Sequence, residues 1–157
     1  MDNVQLYTKS SEMLTQARGI QLQIQQKELE LNLLEINIRY NIGGNSDFSQ
    51  VLKKQSLLTE INNLHSQLSE IISRSIEWAL LLVEQELNSR KSSIFSLSSQ
   101  AISSINSFLK AYSNKITVDL TLRMRLSVIS SQLMFKGLDY MTLRNEIDTL
   151  ERLLKAY

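Results

Sequence analysis

Residues 116–128 read Ile-Thr-Val-Asp-Leu-Thr-Leu-Arg-Met-Arg-Leu-Ser-Val, and the fold class turns on that run. Ile116, Val118, Leu120, Leu122, Met124, Leu126 and Val128 alternate strictly with polar residues, which is the period of a half-buried strand. Set on a helix at about 100° per residue, the run and its continuation split into two opposed stripes. Leu122, Leu126, Ile129 and Leu133 lie on one side, with Met124, Val128 and Phe135 roughly opposite.

A weaker alternation runs through Leu31 and Leu33 and then Ile36, Ile38, Tyr40 and Ile42. On a helix it also gives two stripes: Ile20, Ile24, Leu31, Leu34 and Ile38 against Leu22, Leu29, Leu33, Ile36 and Tyr40. If both segments were strands they would have to pair with each other. Abundant Gln, Glu and Leu favour helix in the first segment, whereas Thr117 and Val118 weaken that preference in the second. The expectation is helix in both, with the paired-strand fold as the alternative.

The rest of the chain supports helices. It holds 157 residues with no proline and only four glycines, so turn-forming residues are scarce. Gly43-Gly44 followed by Asn45-Ser46-Asp47 reads as a helix stop and a new start, and Gly137 before Leu138-Asp139 repeats the pattern. Ser89 to Ser93 and Ser113-Asn114 are the expected joints between them.

Residues 47–90 carry heptad-like spacing through Leu58, Ile61, His65, Leu68, Ile72, Ser75, Ala79 and Leu82. Unbroken, that helix would run ~65 Å, longer than the ~40 Å diameter of a compact domain of this size. Residues 93–112 place Ile94, Phe95, Leu97, Ala101, Ile102, Ile105, Phe108, Leu109 and Tyr112 on one face. Serines 93, 96, 99, 103, 104 and 107, with Asn106 and Lys110, are expected on the other. In residues 139–157, Tyr140, Leu143, Ile147, Leu150, Leu154 and Tyr157 step by three and four. Asp139 is the expected cap, and Asp148–Arg152 and Glu151–Lys155 the expected surface pairs. The predicted fold is therefore all-α, a single domain over 1–157: an elongated bundle of about five helices with long coiled-coil-like members.

Chemistry is sparse. The absence of cysteine excludes disulfides, thiolate metal sites and a cysteine nucleophile. It also fits a reducing compartment, and with no secretory leader pattern at Met1-Asp2-Asn3-Val4 the expected location is cytoplasmic. The most apolar run, Ile76 to Val83 with Glu77 inside it, is far short of the ~20 residues of a membrane span. The lone His65 has Asn62 three residues before it and no second histidine, so no metal set is expected.

Glu28 and Glu30, like Glu84 and Glu86, sit two apart and diverge by about 200° on a helix. Glu70–Arg74 and Glu86–Arg90 have the spacing of solvated pairs. Trp78, flanked by Ile76, Ala79 and Leu80, is expected in the core. No serine elbow, phosphate loop, cofactor motif or small-molecule site is legible.

Charge is the informative signal. Residues 1–86 hold seven Lys/Arg against eleven Asp/Glu, a net of −4, while residues 87–138 hold seven basic residues against Asp119 alone, a net of +6. Lys110, Lys115, Arg123, Arg125 and Lys136 are the candidate anion- or partner-binding residues. The expected function is a non-enzymatic assembly subunit or adaptor that works by protein contact or self-association. The alternative is a helical nucleoprotein subunit gripping a nucleic-acid backbone through 90–136. The acidic first half of the chain offers the same basic residues an internal partner.

Overall fold

The computed structural model describes residues 1–40, 48–89, 96–112 and 116–156. Their order is α1 (Asn3–Tyr40), α2 (Phe48–Leu87), α3 (Ser96–Ala111), β1 (Thr117–Val118), α4 (Leu120–Met134), a 3-10 turn (Leu138–Tyr140), α5 (Met141–Leu153) and β2 (Lys155–Ala156). The fold is an all-α bundle, with five α-helices among the described residues and two of them long. The glycine pair at 43–44, its following cap residues 45–47, Arg90, Ile94, Phe95, Ser113, Asn114, Lys115 and Tyr157 lie outside the described residues.

The run at 116–128 resolves into both of its readings, divided at Asp119. Thr117 and Val118 pair in parallel with Lys155 and Ala156, not with 33–42, whose described part is helical. Asp119 then caps α4, its Oδ1 accepting from the Leu122 amide at 2.8 Å. The alternation beyond that point is carried on a helix that begins at this cap and packs one of its two apolar stripes against α5. Leu122, Leu126, Ile129 and Leu133 are buried, as the helical wheel divides them.

The described residues group into two compact units. One comprises residues 1–16 and 69–157. Within it α5 packs against both α3 and α4. Its core takes Leu6 and Leu14 from α1, Ile72, Ile76, Leu80 and Val83 from α2, and the buried stripes of α3, α4 and α5. Ser10 and Ser75 are buried together, each hydroxyl donating to the other's carbonyl, at 3.0 and 2.8 Å. Small reciprocal donors of this kind let two helices approach closely without an orphaned polar group.

The other unit, residues 17–68, is an antiparallel helical hairpin. Ala17, Ile24 and Leu34 of α1 and Leu57, Ile61 and Leu68 of α2 are buried. Its flanks are laced by Lys27–Glu60 at 3.0 Å, Lys54–Glu35 at 3.7 Å and His65–Glu28 at 3.8 Å. His65 is thus a half-buried flank residue beside a carboxylate.

Several expectations are corrected. Trp78 is half-buried, not in the core. Asp139 does not cap α5: it falls inside the 3-10 turn that Gly137 opens at φ 90°, and Tyr140 precedes the helix without a side-chain cap. The C-terminal helix stops at Leu153, because Leu154 turns extended (φ −87°, ψ 148°) to start the β2 contact while keeping its side chain buried. Asp148 meets Arg144 at 3.9 Å and the Ser130 hydroxyl at 3.0 Å, instead of Arg152. Asn106 belongs to the buried side of α3, not the serine face. Glu86 is buried too, where a solvated position was expected, and it accepts a hydrogen bond from Ser98; its expected partner Arg90 lies outside the described residues.

Candidate functional site

The basic candidates are dispersed by the fold. Arg125 projects from α4 onto α2, donating to Glu84 Oε1 from Nε at 3.1 Å and Nη2 at 2.9 Å. That contact is the internal neutralisation the charge pattern allows. Arg123, two residues away and on the opposite side of α4, donates from Nη1 to the Leu154 carbonyl at 3.1 Å and fastens the β1–β2 end. Lys136 sits over the Tyr140 ring, 6.0 Å from its centroid, as a weak cation–π pair. Lys110 is exposed in the last turn of α3, where a cation complements the helix dipole. Lys115 is outside the described residues.

The Arg125–Glu84 pair forms one wall of an open groove of about 590 Å³. Thr121, Met124, Val128 and Gln132 line its α4 side and Asn88 lies at the end of α2. Met124 and Val128 belong to the exposed stripe of α4, which continues to Phe135 at 87% exposure. The groove therefore combines apolar surface with one satisfied ion pair.

A second uncovered face runs along α1. Leu22, Leu29, Leu33, Ile36 and Tyr40 keep between 46% and 67% of their surface exposed. They occupy the side of α1 opposite Ile24 and Leu34, which face the hairpin core. With Gln26 interposed, the series 22, 26, 29, 33, 36, 40 alternates steps of four and three, the period of a helix–helix seam. Gln23, Gln25, Glu30, Asn32, Asn37 and Arg39 border it and are exposed.

Two polar contacts were missed at the level of sequence. Glu86 continues the buried stripe of Ile72, Ile76, Ala79 and Val83 by helical spacing, so its place was signalled there. Its Oε2 accepts from Ser98 Oγ at 2.6 Å, and the Ser98 backbone amide also donates to it. The carboxylate of α2 thereby satisfies a free amide in the first turn of α3. Burial pushes the Glu86 carboxyl above its ordinary value, against the two Ser98 bonds that pull it down. Asn106 likewise lies between Ile102 and Leu109 in helical spacing, and its Nδ2 donates to the Glu146 carbonyl at 2.9 Å and to Oε2 at 2.8 Å.

Among the described residues no group of acidic, histidine or cysteine side chains has the arrangement of a metal site, and no helix is long and apolar enough to cross a membrane. No protein-family model, no curated protein and no solved structure matches the chain.

Proposed function

We propose that this chain is a non-enzymatic assembly subunit that works by helix-to-helix contact with other protein. The observation that carries the reading is the second apolar stripe of α1, a seam-spaced row left uncovered on a helix whose other side already fills its own core. Contiguous apolar surface of that size on a soluble helix marks an interaction face. The uncovered stripe of α4 adds to it. A grip on a nucleic-acid backbone draws less support, because Arg125 and Arg123 are each engaged within the protein.

The test combines two measurements on the full chain: light scattering across micromolar concentrations, and fluorescence of a dye that binds apolar surface. The expected result is either self-association or a monomer that binds the dye strongly. A monomer that binds no dye overturns the reading. Titration with duplex and single-stranded nucleic acid at low salt runs alongside, and the expected outcome is no complex.

A further inference from the structure

The uncovered seam of α1 is complementary to itself. Resting on the assembly reading above, we infer that its occupant is a second copy of this chain, with the two α1 helices packed antiparallel over residues 29–40.

The register follows from which residues must meet. In an antiparallel pair, seam positions face one another so that the two residue numbers in each layer share a constant sum. Setting Leu33 of one copy opposite Ile36 of the other places Leu29 opposite Tyr40, and the two-fold axis repeats both layers. Every layer is then apolar. The same register sets Glu30 across from Asn37 and Asn32 across from Arg39, so no like charges meet.

Sliding the pair by one heptad towards the N-terminus would place Gln26 against Ile36 and bring the two Glu30 side chains together. A parallel, in-register pair would stack Gln26 on Gln26. The alternatives bury Gln26, which the chosen register leaves outside the paired residues 29–40, and the first also opposes the two Glu30 side chains.

Area and charge agree with a second copy as occupant. Complete coverage of the exposed fractions of Leu29, Leu33, Ile36 and Tyr40 would bury roughly 500 Å² per copy, hence about 1,000 Å² in the pair, at the threshold for a specific interface. Residues 17–68 carry five Lys/Arg and five Asp/Glu. That electroneutral segment neither repels its own copy nor selects a strongly charged partner. The border provides Asn32 and Asn37 as hydrogen-bonding groups at the rim, each set across from a charged side chain of the other copy, Arg39 and Glu30 respectively.

The experiment uses the full chain. Its lack of cysteine makes every introduced thiol unique. Light scattering should give twice the 18.0 kDa chain mass at micromolar concentration. Leu33→Glu and Ile36→Glu should each return the monomer with unchanged helical circular dichroism, whereas Val128→Glu on α4 should leave the dimer intact. Spin labels at Asn37→Cys and Gln23→Cys report the register. Antiparallel packing offsets the two label-37 positions by about 7 Å along the axis and the two label-23 positions by about 35 Å.

A dimer that survives Leu33→Glu, or short distances at both labels, overturns the inference. So does a wild-type monomer. A monomer that still binds the apolar dye leaves the assembly reading standing while removing the second copy as occupant, so the two failures are distinguishable.

Discussion

At the scale of single residues, the buried polar groups carry the most information. Glu86 is held in an apolar layer with Ser98 as its hydrogen-bond donor, and burial raises its carboxyl above the ordinary range. The sign of the consequence follows from linkage. A raised carboxyl binds its proton more tightly in the folded chain than in the unfolded one. Its stabilising contribution is full below the ordinary carboxyl range and is lost as pH rises through the raised folded value. Glu86→Gln keeps an acceptor for Ser98 and removes the buried charge, so it should raise the melting temperature at neutral pH. It should also flatten the acid-side pH dependence of stability, measured by thermal denaturation from pH 4 to 8 in about one-unit steps. An unchanged pH profile would remove Glu86 as its source. Asn106 makes the opposite case: Asn106→Asp places a carboxylate against the Glu146 carboxylate that now accepts its amide. That change should destabilise by about 1–3 kcal/mol at neutral pH, because a buried amide donor is lost beside a carboxylate.

At the scale of elements, helix ends explain more than helix interiors. The strand-like alternation of 116–128 survives only for the two residues before Asp119, which caps α4, the helix that carries the remainder. Asp119→Ala should cost about 1 kcal/mol by leaving the Leu122 amide unpaired. The helix α5 is held by Leu143, Ile147 and Leu150 between α3 and α4. Leu150 is fully buried, so Leu150→Ala should cost on the order of 2–5 kcal/mol in chemical denaturation. A loss below about 1 kcal/mol would mean that α5 is a docked, dispensable helix. The Ser-rich helix α3 is a poor helix former by composition. Its apolar face and the carboxylate that Glu86 offers to its first turn hold it instead.

At the scale of the whole molecule, the charge asymmetry and the apolar seam lead to different expectations about salt. Residues 87–138 carry a formal +6, yet Arg125 is matched by Glu84 of the acidic half. The α1 seam is apolar with a near-neutral border, so the dimer inferred above should persist between low and high salt in sedimentation. Binding to a phosphate backbone would instead weaken steeply over the same range. The double reversal of Arg125 and Lys136 to glutamate should lower thermal stability through repulsion between residue 125 and Glu84, and leave the dimer in place. A variant whose stability is unchanged would show that the Arg125–Glu84 contact is not held in solution.

The sequence by itself determined the largely helical content, the two long helices and the division of α1 and α4 into opposed apolar stripes. Those features depend on local spacing, on the scarcity of breakers and on propensity, all of which are written along the chain. It also placed the candidate basic residues in one segment, but not their surroundings. Which stripe of α1 and α4 is buried, that Arg125 reaches Glu84 and Arg123 reaches the Leu154 carbonyl, and that Glu86 and Asn106 turn inward were decided only by tertiary structure. Two stripes of equal period are indistinguishable until another helix covers one of them. A polar residue on an apolar face likewise has no partner in its own segment: Ser98 lies 12 residues from Glu86 and Glu146 lies 40 from Asn106. The same holds for the residues after Leu153, whose helical spacing continues although the chain leaves the helix to meet Thr117 and Val118.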